Sequence, residues 1–205
     1  MTPLPFRPIR MRAVPGLIMG FSVLLSGCVR EIPPPNVHEN PQPREHYRMT
    51  LRIGNDAPGP FDEVSALVSY RATNPNCAPL TPISGVRMTP EKDLRPPLTK
   101  VDEHTYRAEF YLDRLIDEDY YGEGVCHWEL MSANFSTALK RNYFTVSRVY
   151  SEIRKGHLDV THYFPDYWYF NPSPTPFGVV GEENRQQYKE PDKTFSLSLH
   201  LERLP

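Results

Sequence analysis

The sequence predicts an all-β fold, an antiparallel β-sandwich of about seven strands, and three observations predict it. Apolar residues recur with a period of two in several short segments, the signature of strands with one buried face. Clusters of Pro, Gly and Asn separate those segments, as turns separate strands. The 23 prolines are poor helix-interior residues, and no long amphipathic helix breaks the pattern.

The elements follow in order. Tyr47, Met49, Leu51 and Ile53 alternate with Arg48, Thr50 and Arg52 in a first half-buried strand, and Asp56-Ala57-Pro58-Gly59-Pro60 forces a turn. Val64, Ala66, Val68 and Tyr70 alternate with Ser65, Leu67, Ser69 and Arg71 in a second, before an irregular Pro-rich span over residues 74–98. Tyr106, Ala108, Phe110 and Leu112 carry the third, and Cys126, Trp128 and Leu130, opposite His127, Glu129 and Met131, the fourth. Residues 142–149 are a fifth strand, 157–164 a sixth, and Phe195, Leu197, Leu199 and Leu201 the last. Only residues 147–154 suit a short helix. Trp128 follows the second of the two downstream cysteines instead of lying between them, which argues against an immunoglobulin pattern.

The amino terminus reads differently. Arg7, Arg10 and Arg12 precede an apolar stretch over residues 13–25, a secretory signal too short to span a bilayer. Leu25-Ser26-Gly27-Cys28 resembles the lipobox of bacterial lipoproteins. The resemblance implies that residues 1–27 are removed, that Cys28 receives a diacylglycerol, and that the new amino terminus is acylated. Two or three acyl chains hold a protein to a bilayer far more firmly than one. Val29 stands where such lipoproteins carry an aspartate for inner-membrane retention, which implies the outer membrane and a periplasm-facing domain. Residues 28–45, with Pro33, Pro34, Pro35, Pro41 and Pro43, are expected to form an extended tether. Residues 46–205 are expected to form the sandwich domain.

The signal takes three of the 23 basic residues and none of the 25 acidic ones, so the remaining chain has 20 against 25, a formal charge of −5. That balance argues against nucleic acid as a partner. With Cys28 lipidated, Cys77 and Cys126 are left, and an even pair in an oxidising compartment is expected to close a disulfide. The competing reading makes Cys126, beside His127, a nucleophile, but neighbours on a strand point to opposite faces.

Two segments are candidates for contact with a protein partner. In the first, Asp117, Glu118, Asp119, Tyr120 and Tyr121 form an acidic, aromatic turn. Asp117, Asp119 and Gly122 match positions 1, 3 and 6 of a calcium loop, yet Tyr121 and Trp128 stand at positions 5 and 12, so no metal is expected. A solvated turn and an acidic binding surface are the alternatives. The second segment holds Tyr163, Tyr167, Trp168, Tyr169 and Phe170, which either plug the end of the sandwich or present binding anchors. The chain lacks the Gly-x-Ser-x-Gly, His-Glu-x-x-His and Cys-x-x-Cys patterns, and its seven histidines never fall at metal-ligand spacing. No enzyme activity and no cofactor are expected.

Tyr47-Arg48-Met49-Thr50, Ala57-Pro58-Gly59-Pro60-Phe61, Tyr70 with Asn74 and Cys77, and Tyr106 are taken together with Asp117-Glu118-Asp119-Tyr120-Tyr121-Gly122, Gly124-Val125-Cys126 and Trp128. The set resembles a group of small proteobacterial lipoproteins found in variant copies beside genes for type VI secretion lipase effectors. The resemblance covers most of residues 46–150. It implies an immunity role, in which the lipoprotein binds and blocks a phospholipase toxin and carries no catalytic residue. The alternative is a structural or assembly lipoprotein of the envelope or of a secretion complex.

Overall fold

Alternation along the longer strands becomes burial in the computed structural model, which describes residues 32–82 and 84–205. In β1 (His46–Ile53) Met49 and Leu51 are fully enclosed, while Arg52 between Leu51 and Ile53 stays exposed. The strands that follow are β2 (Glu63–Ala72), β3 (Glu91–Leu94), β4 (Thr99–Lys100), β5 (Thr105–Tyr111) and β6 (Trp128–Leu139). After them come β7 (Asn142–Val149), β8 (Asp159–Pro165), β9 (Phe177–Val179) and β10 (Thr194–Arg203). Two helices of five residues each, α1 (Tyr150–Arg154) and α2 (Asp166–Phe170), sit at strand ends.

The strands form two five-stranded sheets, ordered β4-β5-β1-β10-β8 and β3-β2-β6-β7-β9. All pairings are antiparallel except β7 with β9, which is parallel. The sandwich is therefore as expected, with three short strands, β3, β4 and β9, added at its margins. These margins escaped the sequence because two to four residues cannot display a period.

The two inner faces meet on aromatic rings. Phe144 of β7 lies 5.2 Å from Phe195 of β10 and 5.5 Å from Phe164 of β8, both edge-on, and all three side chains are fully enclosed. Phe61, from the turn before β2, adds ring contacts of 5.8 Å to Phe144 and to Phe195. Such pairs add about 0.5–1.5 kcal/mol each beyond the area they bury.

A bulge explains why β6 is longer than its sequence pattern. Ser69 pairs with Ser132 but Tyr70 with Leu130, so Met131 is skipped. The extra residue shifts the inward phase from Leu130 to Ala133 and Phe135, all buried. The hairpin from β6 to β7 then turns through Lys140 and Arg141, with Lys140 at a left-handed φ of 55°.

The Pro-rich segment is not a free spacer over its whole length. Val37 packs against the core, the Asn40 N–H donates to the Arg114 carbonyl at 2.7 Å, and the Ile116 N–H donates to His38 at 3.1 Å. The Arg44 and Glu45 N–H groups both donate to the Asp113 carboxylate. The chain is thus seated from residue 37 onward. Residues 1–27 and Cys28 lie outside the described residues.

Cys77 and Cys126 are joined by a disulfide across 49 residues of sequence, and their sulfurs sit with Ala72 under Tyr120 and Tyr121. Cys126 is consequently no free thiol, and the nucleophile reading falls. Replacing both cysteines by alanine is expected to cost about 4 kcal/mol by releasing a loop of that length in the unfolded chain. Phe144→Ala is expected to cost about 3–5 kcal/mol through a cavity, read as a lower denaturation midpoint at unchanged slope.

Candidate protein-binding surfaces

The acidic turn closes on itself. Asp117 accepts the Trp128 N–H at 2.8 Å through one oxygen and meets the His127 ring at 2.8 Å through the other. One oxygen of Asp119 accepts the N–H groups of Tyr121, Gly122 and Glu123 at 3.3, 2.7 and 3.1 Å. Gly122, at φ 76°, supplies the left-handed geometry that lets three consecutive amides converge on one carboxylate. Glu118 meets the His38 ring at 2.6 Å. Tyr120 donates its hydroxyl to the Ile116 carbonyl at 2.5 Å and stands edge-on to Trp128. Burial pushes both the Tyr120 and the Tyr121 hydroxyls above the ordinary tyrosine value.

Asn74 completes this turn, and sequence reasoning gave it no role there. Its side chain donates to the Val125 carbonyl at 2.7 Å and accepts the His127 N–H at 2.9 Å. The carboxylates therefore have structural work as caps and ion-pair partners. Among the described residues, no group of three or more His, Cys, Asp or Glu side chains could hold a metal ion.

The aromatic run divides between core and surface. Tyr163 lies half-buried under the Arg185 guanidinium, 4.5 Å from its ring centre, and Phe164 belongs to the ring stack. Pro165 ends β8, and α2 then sorts its side chains by helical spacing. Tyr169 faces inward, donating its hydroxyl to the Pro60 carbonyl at 2.7 Å and meeting Phe61 edge-on at 5.6 Å. Trp168 packs at 4.8 Å on Phe177, and its carbonyl accepts the Asn142 side-chain amide at 2.6 Å. Tyr167 and Phe170, three apart and on the other side, are 61% and 66% exposed.

Two further aromatics join this surface that the linear run did not contain. Phe177 arrives through the parallel pairing of β9 on β7, and Tyr143 points outward between the buried Asn142 and Phe144; they are 39% and 40% exposed. Their signal was the short Phe177-Gly178-Val179 segment, which only pairing with Asn142–Phe144 could assign.

At the root of α2 lies a charged group. Arg185 pairs with Asp56, and Asp56 also accepts the Ser196 N–H at 3.0 Å and hydroxyl at 2.9 Å. Burial alone would raise the Asp56 carboxyl, but the Ser196 donors and Arg185 together hold it below its ordinary value. Asp166 behaves oppositely: burial first, then the Asp56 charge, push it up against the pull of Arg185. Its Oδ1 is enclosed without a hydrogen-bond partner.

The two candidate surfaces occupy opposite poles of the domain. His46 at the start of β1 pairs with Tyr111 at the end of β5, and the Tyr70 hydroxyl near the end of β2 donates to the Tyr111 carbonyl. That pole holds the acidic turn, the disulfide and the incoming segment from residue 37. Pro165 pairs with Thr194 at the other pole, where α2 adjoins the β6–β7 turn.

Comparison with protein-family models, with curated proteins and with solved structures returned no match.

The root of α2 makes a pH-dependent prediction. Asp56, depressed, contributes stability above the ordinary carboxyl value of 3.8 that is lost as pH falls through its folded value. Asp166, raised, opposes the fold above its folded value, and that burden lifts on acidification. At neutral pH Asp56→Asn is expected to lower stability by about 1 kcal/mol, from weakened charged hydrogen bonds. Asp166→Asn is expected to leave stability unchanged or higher. Denaturant titrations taken down to about pH 2 should shrink both differences.

Proposed function

We propose that the protein is a periplasm-facing outer-membrane lipoprotein that binds and neutralises a phospholipase effector of type VI secretion, an immunity protein with no catalytic step of its own. The observation that carries the reading is the resemblance of residues 46–150 to lipoproteins found beside such effectors. The geometry agrees with a binding role: Tyr167 and Phe170 stand exposed on one side of α2, whose other side is locked by Tyr169 and Trp168. Exposed aromatics on a rigid support lose little entropy on binding and dominate the energy of many interfaces. This surface lies at the pole opposite the one where the segment from residue 37 packs on the domain. Glu118 and Asp119 at the other pole keep carboxylate edges at the surface and are the second contact candidate.

The test is protection. The reading requires a lipase effector gene beside this one; cells carrying the full chain should survive that lipase, and the two proteins should associate near one to one without either being cleaved. Tyr167→Ala combined with Phe170→Ala removes exposed side chains, so the melting temperature should hold while affinity falls by about 2 kcal/mol or more, roughly thirtyfold. Trp168→Ala should instead lower stability, since that ring packs on Phe177. Absence of protection by the wild-type chain would remove the immunity reading, and a neighbouring assembly operon would then favour the structural role.

A further inference from the structure

Two short strands leave a gap at one side of the sandwich. β3 is the edge of one sheet, paired with β2 over Val68 to Arg71, and β4 is the edge of the other, paired with β5 only at Arg107 and Tyr106. The four residues that join them, 95–98, therefore cross from sheet to sheet, and Pro96 and Pro97 stiffen that crossing. Past Arg107 the outer edge of β5 has no partner strand among the described residues, and a cavity of about 340 Å³ opens there. Val68, Tyr70 and Leu94 line it from one sheet and Phe110 from the other, with Pro96 and Pro97 across them.

Its inner end is apolar and uncharged. Val68, Tyr70 and Phe110 are buried, the Tyr70 hydroxyl donates to the Tyr111 carbonyl, and burial pushes that hydroxyl above its ordinary value. At about 30 Å³ for a group the size of a water molecule, the space holds roughly eleven methylene-sized groups, one aliphatic chain and not two. It falls at the lower end of ligand-pocket volumes, about 300–1,000 Å³.

The lining is charged at Glu39, Arg95, Glu109 and Arg114. Glu39 pairs with Arg114, and Glu109 pairs with Arg48 at 2.9 Å and meets the His46 ring at 3.1 Å. Asp113, next to Arg114 in the chain, is taken up by the Arg44 and Glu45 N–H groups. Arg95 is thus the one charge of the lining without an opposite partner among the described residues. Its planar fork of donors matches a carboxylate.

We propose that this cavity binds a single-chain aliphatic carboxylate, a fatty acid of about ten to twelve carbons, with its chain against Val68, Tyr70 and Phe110 and its head group on Arg95. The two glutamates, already paired, reject a second carboxylate less than they would if free, and a cationic head gains nothing from Arg95. The inference stands on the cavity and is independent of the effector.

The experiment photolabels the full chain, in envelope membranes of the cells that express it, with a decanoate carrying a diazirine at its last carbon. Crosslinks mapped by mass spectrometry should fall on the peptides that hold Val68, Tyr70, Leu94 and Phe110. Decanoate should displace the label roughly tenfold better than octanoate, about fourfold for each methylene, and far better than decyltrimethylammonium. Arg95→Gln changes an exposed side chain and leaves the core intact; it should weaken displacement by decanoate about tenfold and leave displacement by decanol unchanged. Crosslinks confined to exposed side chains such as Tyr167 and Phe170 overturn the site. Equal displacement by decyltrimethylammonium, or an Arg95→Gln chain that behaves as wild type, overturns the carboxylate and the proposal with it. None of these outcomes bears on protection against a lipase, which tests the immunity reading separately.

Discussion

Three rings hold the two sheets of this domain together. Phe144 belongs to one sheet and Phe164 and Phe195 to the other, and their edge-on contacts set the spacing to which the rest of the core conforms. The stack sits toward the α2 pole, so it does more than close the sandwich. Phe61 and Tyr169 extend it outward, and Tyr169 fastens α2. A five-residue helix has almost no stability of its own, because nucleation costs more than so few hydrogen bonds return. The exposed positions of Tyr167 and Phe170 are therefore a consequence of core packing one layer below them.

The opposite pole is organised by different physics. Tyr47, Tyr70 and Phe110 are buried toward that end too, but the loops beyond the strands are closed by a covalent bond and by capping carboxylates. The disulfide limits the unfolded chain, while Asp117, Asp119 and Asn74 gather backbone amides that would otherwise lack partners. The helix at one pole is thus fastened by rings, and the loops of the other by polar closure.

Legibility in the sequence followed the range of the interactions. The strands of β1, β5, β7 and β10 were readable because alternation is local and one face of each is buried. Most of β6 was not, since the skipped Met131 moves its apolar phase and breaks the period in mid-strand. The aromatic run was visible as composition, but nothing in its order showed that Phe164, Trp168 and Tyr169 would turn inward while Tyr167 and Phe170 would not. Phe177 and Tyr143 could join them only through a pairing between segments more than thirty residues apart.

By itself the sequence determined the fold class and the pairing of Cys77 with Cys126. Each depends on a local or purely compositional property: a period of two, or an even cysteine count. The tertiary structure alone decided which pole each candidate surface occupies and which acidic side chains are consumed as caps. Those outcomes depend on contacts between residues far apart in the chain, such as His38 with Glu118 or Asn142 with Trp168, whose geometry exists only once both sheets have closed on their rings.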